Sequence, residues 1–280
     1  MTRHARQGGS PAREPLPVLW KTEREAAVDK PAGLSSERPQ RESGGDGVSL
    51  DSAIVRAREL FGWPDAQLPH RLDRPTRGVL MIAADAAQVA EHAREQREGL
   101  WTKWYIARIH GHGAARVRAE TLVGRHVAFL RREGRRARVV RSGGDRAELE
   151  VLAVTAATDA RSESHALIRL DTGRFHQIRV MLASLGFPLV GDVEYGGDVE
   201  YGGDVEYGGD TEYGGDAENG RGAASRFQLV AAALAIERGD ASRVIEAPIR
   251  SSDGVSAPLV AALAAALSAW RARAGSREAR

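Results

Sequence analysis

The sequence predicts an α+β domain, in which a mostly antiparallel sheet is flanked by a small number of helices. Segments rich in β-branched and aromatic residues outnumber those with the helical spacing of apolar residues. Several of these strand-like segments also follow one another through turns, without a helix between them. With 280 residues, of which 42% are hydrophobic, the chain is long and apolar enough to bury a substantial core.

The strand predictions rest on short apolar runs bounded by glycine, proline or polar residues. Residues 18–28 are expected to form one or two strands, broken near Lys21-Thr22. Residues 121–141 are expected to form a hairpin that turns at Glu133-Gly134. Residues 227–237 are apolar on both faces, which indicates a buried strand. The other predicted strands are 78–84, 100–110, 147–158, 164–171 and 244–249.

Four segments have the apolar spacing and the terminal residues that are typical of helices. Asp51 is expected to cap the first helix and Gly62 to end it, and Asp85 is expected to cap the second. The second helix has a thin apolar face, namely Val89, Ala90 and Ala93. The predicted helices are residues 52–61, 86–98, 174–185 and 256–272.

The charge of the chain is unevenly distributed. The net charge is +2, but residues 191–220 contain ten acidic side chains and no Lys or Arg, so the remainder has 40 basic against 28 acidic residues. Arginine supplies most of the basic residues, and its planar fork of donors suits phosphate groups. The basic body therefore favours RNA as a partner, although a proteome-wide preference for arginine would explain the same composition.

The compartment is predicted from what the sequence lacks. The chain has no cysteine, which excludes disulfides and thiolate metal sites, and nothing in it indicates export. Residues 1–17 lack the apolar core of a signal peptide, and no run of about 18 apolar residues is present. We therefore expect a cytoplasmic protein that does not associate with a membrane.

A hexapeptide occurs five times between residues 191 and 220. Gly-Asp-Val-Glu-Tyr-Gly occurs three times, followed by Gly-Asp-Thr-Glu-Tyr-Gly and Gly-Asp-Ala-Glu-Asn-Gly. Each copy has too little apolar surface to stack as a solenoid, and its length differs from that of the nonapeptide calcium repeat. This hexad repeat, residues 191–220, is therefore predicted to be a flexible surface loop.

A charged turn at residues 70–77 leads into the predicted strand 78–84. Its sequence is His-Arg-Leu-Asp-Arg-Pro-Thr-Arg, so Asp73 is flanked by Arg71, Arg74 and Arg77. Nearby positive charge favours the ionised carboxylate, which is the form that a nucleophile or a base requires. A solvated turn without function explains the same residues equally well.

Four segments of the chain stand out together: residues 29–34, 70–78, 103–107 and 173–180. In their order and rough spacing they resemble the RluA-type RNA pseudouridine synthases, and the resemblance covers about residues 16–248. The hexad repeat resembles a tandem expansion of the single Gly-Asp-x-x-Tyr-Gly segment that the family carries. The resemblance implies the pseudouridine synthase fold and an isomerase that acts on uridine in ribosomal or transfer RNA, with no metal and no organic cofactor.

The resemblance also implies roles for individual residues. Asp73 matches the family's catalytic carboxylate, which either attacks C1′ of the nucleotide or removes its C2′ proton. Arg179 matches the basic residue that pairs with this carboxylate, and Tyr105 matches the tyrosine that packs on the base. Arg71 matches the residue that fills the gap left by the flipped nucleotide.

Basic residues near these positions are predicted to contact RNA. The arginines of the hairpin at 121–141 suit an RNA backbone, although such a run is also typical of a solvated face. No DNA partner is expected, and a monomer is expected although the sequence does not determine the oligomeric state. The predicted RNA-binding residues are Arg71, Arg74, Arg77, Lys103, Arg174, His176, Arg131 and Arg135.

Three departures from the family pattern leave a second function open. Arg77, Phe175 and Met181 stand where Ser, Thr and His are usual in the family, and all three are expected close to the site. A non-catalytic RNA-binding protein on the same scaffold is therefore the alternative. The predicted organisation is a disordered tail at 1–15, one catalytic domain at 16–274 and a C-terminal tail at 275–280.

Overall fold

The computed structural model describes residues 16–37, 51–110, 118–160, 162–196 and 227–278. These residues form a ten-stranded sheet flanked by four α-helices, which confirms the predicted α+β class. Within this part of the chain, no helix is long and apolar enough to cross a membrane. The predicted tail at 1–15 lies outside the described residues, and the last helix continues to Glu278, beyond the predicted end of the domain.

The ten strands have the order β1-β2-β3-β9-β4-β8-β7-β5-β6, and β10 pairs with β9. All of the paired strands are antiparallel except β3 and β9. The predicted break near Lys21-Thr22 and the predicted turn at Glu133-Gly134 are both present. The strands are β1 Val18–Lys21, β2 Glu25–Lys30, β3 Arg77–Ala83, β4 Trp101–His110, β5 Gly124–Glu133, β6 Arg136–Val140, β7 Asp145–Ala156, β8 Glu163–Leu170, β9 Leu229–Ile236 and β10 Arg243–Glu246.

The helix ends follow local side-chain hydrogen bonding, with one correction. Asp85 caps the second helix as predicted, because its carboxylate accepts the Gln88 N–H at 2.8 Å. The first helix is capped by Ser52 and not by Asp51, because the Asp51 carboxylate is drawn to Arg56, 2.6 Å away. The helices are α1 Ala53–Phe61, α2 Ala86–Arg97, α3 Gln177–Ser184 and α4 Ala257–Glu278.

The side chains of strand β4 show which helices cover each face of the sheet. Its side chains alternate, as they must on a pleated strand. Trp104 and Ile106 pack with the apolar stripe of α4, whereas Tyr105 packs with the cluster that includes α1 and α3. The functional cleft described below lies on the α1 and α3 side. The buried stripe of α4 consists of Leu259, Leu263, Leu267, Trp270 and Ala274.

Helix α2 buries polar residues, whereas the predicted apolar face is not buried: Val89 and Ala93 are half-buried and Ala90 is exposed. Its buried side chains are Gln88, His92 and Glu95. Arg238 lies 2.5 Å from carboxylate oxygens of both Glu95 and Glu25. Burial alone would raise the pKa of Glu25, but hydrogen bonds from His92 and Arg238 outweigh it and lower that pKa to about 2. An ion-pair cluster therefore anchors this helix to the sheet.

Gly78 is expected to be the least replaceable glycine of the described sheet. It has φ 112°, and it pairs with Ala231 where β3 meets β9. A Cβ at this position would overlap the Ala231 backbone.

Gly78→Ala should lower the free energy of unfolding by about 2–4 kcal/mol, measured by urea denaturation. Gly99→Ala is the matched control, because Gly99 has φ 72° and open space around its Cβ position, and it should lose only about 1–2 kcal/mol. Equal losses in the two variants would contradict the steric assignment.

Candidate active site

A cleft of about 540 Å³ opens between the turn that precedes β3, the middle of β4 and the start of α3. Each of these three elements contributes one of the residues that were predicted to be catalytic. Asp73 lies on the turn, Tyr105 on β4 and Arg179 on α3, and all three line the cleft. The fold thus brings Asp73 and Arg179 together although they are 106 positions apart in the sequence.

Asp73 faces Arg179. Its Oδ2 lies 3.6 Å from Arg179 Nη1 and 3.9 Å from His176 Nε2. Burial raises the pKa of Asp73, and attraction to the Arg179 guanidinium opposes this rise. The carboxylate is therefore partly dehydrated and reactive, and one cation holds it in the ionised form.

The arginines next to Asp73 in sequence do not supply that cation. Arg71 pairs with Glu37 at 3.2 Å, and Arg74 Nε donates to the Gly33 carbonyl at 2.9 Å. Arg77 is buried in an ion pair with Asp253. The sequence had suggested that these three flanking arginines keep Asp73 ionised. That suggestion was wrong, because each of their side chains leaves the turn in a different direction.

Arg179 is held by a second set of carboxylates. Asp192 accepts from its Nε and Nη2, both at 2.7 Å, and Glu194 accepts from Nη2 at 2.7 Å. Burial alone would lower the pKa of Arg179, but hydrogen bonding and attraction to Asp192 outweigh it and raise that pKa. The guanidinium is therefore always charged, and the bidentate contact orients it so that Nη1 points to Asp73.

Asp192, Glu194 and Tyr195 belong to the first copy of the hexad repeat. This copy is part of the site, and Asp192 is only 1% exposed. The interpretation of residues 191–220 as a flexible surface loop therefore does not apply to residues 191–196. The other four copies, residues 197–220, lie outside the described residues.

His176 occupies the N-cap of α3, so the helix begins three residues later than predicted. Among the described residues it is the one non-glycine residue with positive φ, at 53°. Its Nδ1 lies 2.9 Å from the Tyr195 hydroxyl, which already accepts the Ala137 N–H at 2.8 Å. Burial, with Arg179 and Arg132 nearby, lowers the pKa of His176 to about 3, so its ring is neutral at pH 7. In the tautomer with its proton on Nε2, the nitrogen that faces Asp73, the ring accepts a hydrogen bond from the Tyr195 hydroxyl at Nδ1.

Tyr105 and two lysines complete the surroundings of the carboxylate. Tyr105 is 7% exposed, and burial together with Asp73 raises the pKa of its hydroxyl. Burial lowers the pKa of Lys103, which lines the cleft, to about 8. Lys30 is fully buried and its Nζ donates to the carbonyls of Leu34, at 2.7 Å, and Arg74, at 3.2 Å. Lys30 therefore ties two of the four family-like segments together.

Five of the eight residues predicted to bind RNA line the cleft, and three do not. Arg77 is buried elsewhere, and Arg131 is turned to the Ser142 carbonyl, to which it donates at 3.2 Å. Arg135 lies in the turn between β5 and β6. Arg132 lines the cleft instead, a residue that the sequence analysis did not select, because nothing in a run of arginines shows which ones face the site. The five that line the cleft are Arg71, Arg74, Lys103, Arg174 and His176.

The three departures from the family pattern have different surroundings. Phe175 lines the cleft, as expected. Arg77 pairs with Asp253, and Met181 is 2% exposed in the apolar core, and neither residue lines the cleft. All three were expected close to the site, and of the three Phe175 alone lines the cleft.

Known proteins that are similar to this chain are RNA pseudouridine synthases. Residues 26–184 match the family model described as RNA pseudouridylate synthase. "Dual-specificity RNA pseudouridine synthase RluA" of Salmonella typhi is 33% identical over 187 residues, which cover 66% of this chain and 80% of that protein. "Ribosomal large subunit pseudouridine synthase D" of Pseudomonas aeruginosa is 28% identical over 181 residues, 65% of this chain and 53% of that protein. The structure of "Human RNA Pseudouridylate Synthase Domain Containing 1" has the same fold, with a TM-score of 0.56, 22% identity and 86% of each chain covered.

Proposed function

We propose, from the fact that the chain belongs to the RNA pseudouridine synthase family of isomerases, that it converts uridine to pseudouridine in ribosomal or transfer RNA. The observation that carries this proposal is the position of Asp73, a partly buried carboxylate in a cleft, opposite an arginine that other carboxylates hold in place. The names of the relatives specify RNA and, for one of them, the large ribosomal subunit, and so support RNA, and ribosomal RNA in particular, as the substrate.

The reaction breaks the bond between C1′ and N1 of the uridine, turns the uracil and forms a bond between C1′ and C5. Asp73 is the group that would act on the sugar, either by attacking C1′ or by removing the C2′ proton. In both cases the carboxylate gives up its negative charge, so its partial dehydration favours the step. Arg179 stabilises the ionised carboxylate beforehand and keeps it in one orientation.

Tyr105 would pack against the uracil and move a proton. The face of its ring suits an aromatic base, and its hydroxyl is close enough to Asp73 for the carboxylate to raise the hydroxyl pKa. Because the hydroxyl stays protonated at neutral pH, Tyr105 would take the C5 proton only while giving its own proton to the Asp73 carboxylate, which is free again once the bond between C1′ and C5 has formed, and N1 of the uracil is the final proton acceptor. It would not begin the step as a phenolate.

A turnover assay tests the proposal. Bulk ribosomal and transfer RNA is incubated with the protein, and pseudouridine is mapped by chemical labelling. New sites are expected in the treated RNA. RNA that binds to the protein but gains no pseudouridine would favour the alternative, a non-catalytic RNA-binding protein. That alternative is weakened because two of the three departures that motivated it, Arg77 and Met181, do not line the cleft.

Glu194→Gln is expected to move the acid limb of the pH–rate profile to lower pH. The Glu194 carboxylate raises the pKa of Asp73, so its neutralisation should lower that pKa and keep Asp73 ionised in more acidic solution. The glutamine still offers an oxygen to Arg179 Nη2. The measurement is kcat/KM against pH for both proteins, and a shift of the limb to higher pH would contradict the assignment. Glu91→Gln, at an exposed position on α2, is the control.

Removal of residues 197–220 is expected to leave the fold intact, because the first copy makes the contacts with Arg179 and His176. The cost of closing a loop rises with the logarithm of its length, so the free energy of unfolding should change by about 1–2 kcal/mol at most. The deletion also removes eight negative charges. RNA binding should therefore tighten, most clearly at low salt. A shortened protein that aggregates, or that melts far below the parent, would show that the later copies are part of the core.

A further inference from the structure

Three planar side chains form a stack along the wall of the cleft. The rings of Phe175 and His176 have centroids 3.8 Å apart and planes inclined by 19°. The Arg132 guanidinium carbon lies 4.3 Å from the Phe175 centroid. Because His176 Nε2 lies 3.9 Å from Asp73 Oδ2, the stack leads from the carboxylate to the β5–β6 ribbon.

Hydrogen bonds hold the outer member of this stack in place. Arg132 is paired with Ala137 across the ribbon. The Ala137 N–H donates to the Tyr195 hydroxyl, at 2.8 Å, and the same hydroxyl meets His176 at 2.9 Å. Arg132 Nε also donates to the Gly134 carbonyl at 3.0 Å. One chain of contacts therefore positions both ends of the stack, although Arg132 itself is exposed.

Among the described residues, no carboxylate pairs with the Arg132 guanidinium. Within the described part of the chain Arg132 has a hydrogen bond to a carbonyl and no ion pair, whereas Arg71, on another wall of the cleft, is paired with Glu37. A guanidinium supported by an aromatic ring presents a flat cationic surface. Unpaired RNA bases are recognised by stacking on such surfaces, and a stacked arginine adds a cation–π contribution.

We propose that Arg132 and Phe175 form a subsite for the base of a nucleotide next to the target uridine, with that base stacked on the Arg132 guanidinium. The proposal rests on the proposed function, since it requires a uridine at Asp73. A purine covers more of the guanidinium than a pyrimidine, so a purine is preferred. Threonine, which is usual in the family at position 175, has no ring to support Arg132, so the subsite is a feature of this chain.

The test uses the full chain and a hairpin RNA built around the best site found by mapping bulk RNA, with the two nucleotides beside the uridine varied in turn. A purine on one side should raise kcat/KM by about 5-fold or more. Arg132→Lys keeps the charge without the plane, and Phe175→Leu keeps apolar bulk without the ring. Both variants should lose this preference and still form pseudouridine. Equal preference in the parent and in both variants would overturn the proposal.

A binding measurement separates this inference from the proposed function. A single-stranded RNA with 2-aminopurine beside the uridine should lose fluorescence on binding the parent, because the base stacks, and lose much less with Arg132→Lys. Quenching without turnover would support the subsite and count against the isomerase. Turnover with the same quenching in both proteins would support the isomerase and count against the subsite. Phe175→Tyr keeps the ring and should show the same quenching and the same purine preference as the parent. Arg131→Ala should weaken the binding of all RNA sequences alike without changing the purine preference.

Discussion

Asp73→Asn is expected to lower pseudouridine formation by at least about 10²–10⁴-fold. The amide can neither attack C1′ nor accept the C2′ proton, and the carboxylate is the group that Arg179 faces in the cleft. RNA binding should change little, because the positive side chains along the cleft remain. The measurement is single-turnover conversion of an RNA that the parent modifies.

Stability distinguishes this loss of activity from a loss of fold. Burial raises the pKa of Asp73, so the ionised carboxylate is less favourable in the folded chain than in the unfolded chain. The asparagine variant should therefore melt at the same temperature as the parent or at a higher one. Asp65→Asn removes a charge from an exposed position and should change neither pseudouridine formation nor the melting temperature. Undiminished turnover in Asp73→Asn would remove Asp73 from the mechanism.

Asp192→Ala is expected to have the largest effect on stability, a loss of about 3–5 kcal/mol in the free energy of unfolding. Asp192 is buried and accepts two hydrogen bonds from Arg179, so its removal leaves a buried cation without its main partner. Asp192→Asn, which keeps the shape and one acceptor, should lose less. The free energies are measured by urea denaturation.

The repeat requires a particular design for this experiment. The second and third copies have the same sequence as the first, so they carry an aspartate at the corresponding position. The substitution is therefore made both in the parent and in the chain that lacks residues 197–220. A small loss in the shortened chain would show that Asp192 is not the residue that holds Arg179.

The sequence by itself determined the local features of this protein. Strand and helix positions followed from apolar spacing, and the end at Gly62 and the cap at Asp85 followed from residues within one turn. These features depend on backbone geometry and near neighbours, which a linear pattern contains. The fold class and the family also followed, because four segments occur in the family's order. The assignment of Asp73, Tyr105 and Arg179 came from that resemblance and not from any property of the residues alone.

Only the tertiary structure decided which of the nearby arginines reach the site. The resemblance had paired Arg179 with Asp73, but the three arginines beside Asp73 in sequence turn away from it, since side chains on one turn point in different directions. Arg132 lines the cleft and Arg131 does not, because neighbouring side chains on a strand point to opposite faces. The burial of polar residues on α2 required Arg238, which is far away in sequence. The first hexad copy is part of the site because the buried Arg179 needs a carboxylate partner. Composition alone does not show which of the five similar copies supplies that carboxylate.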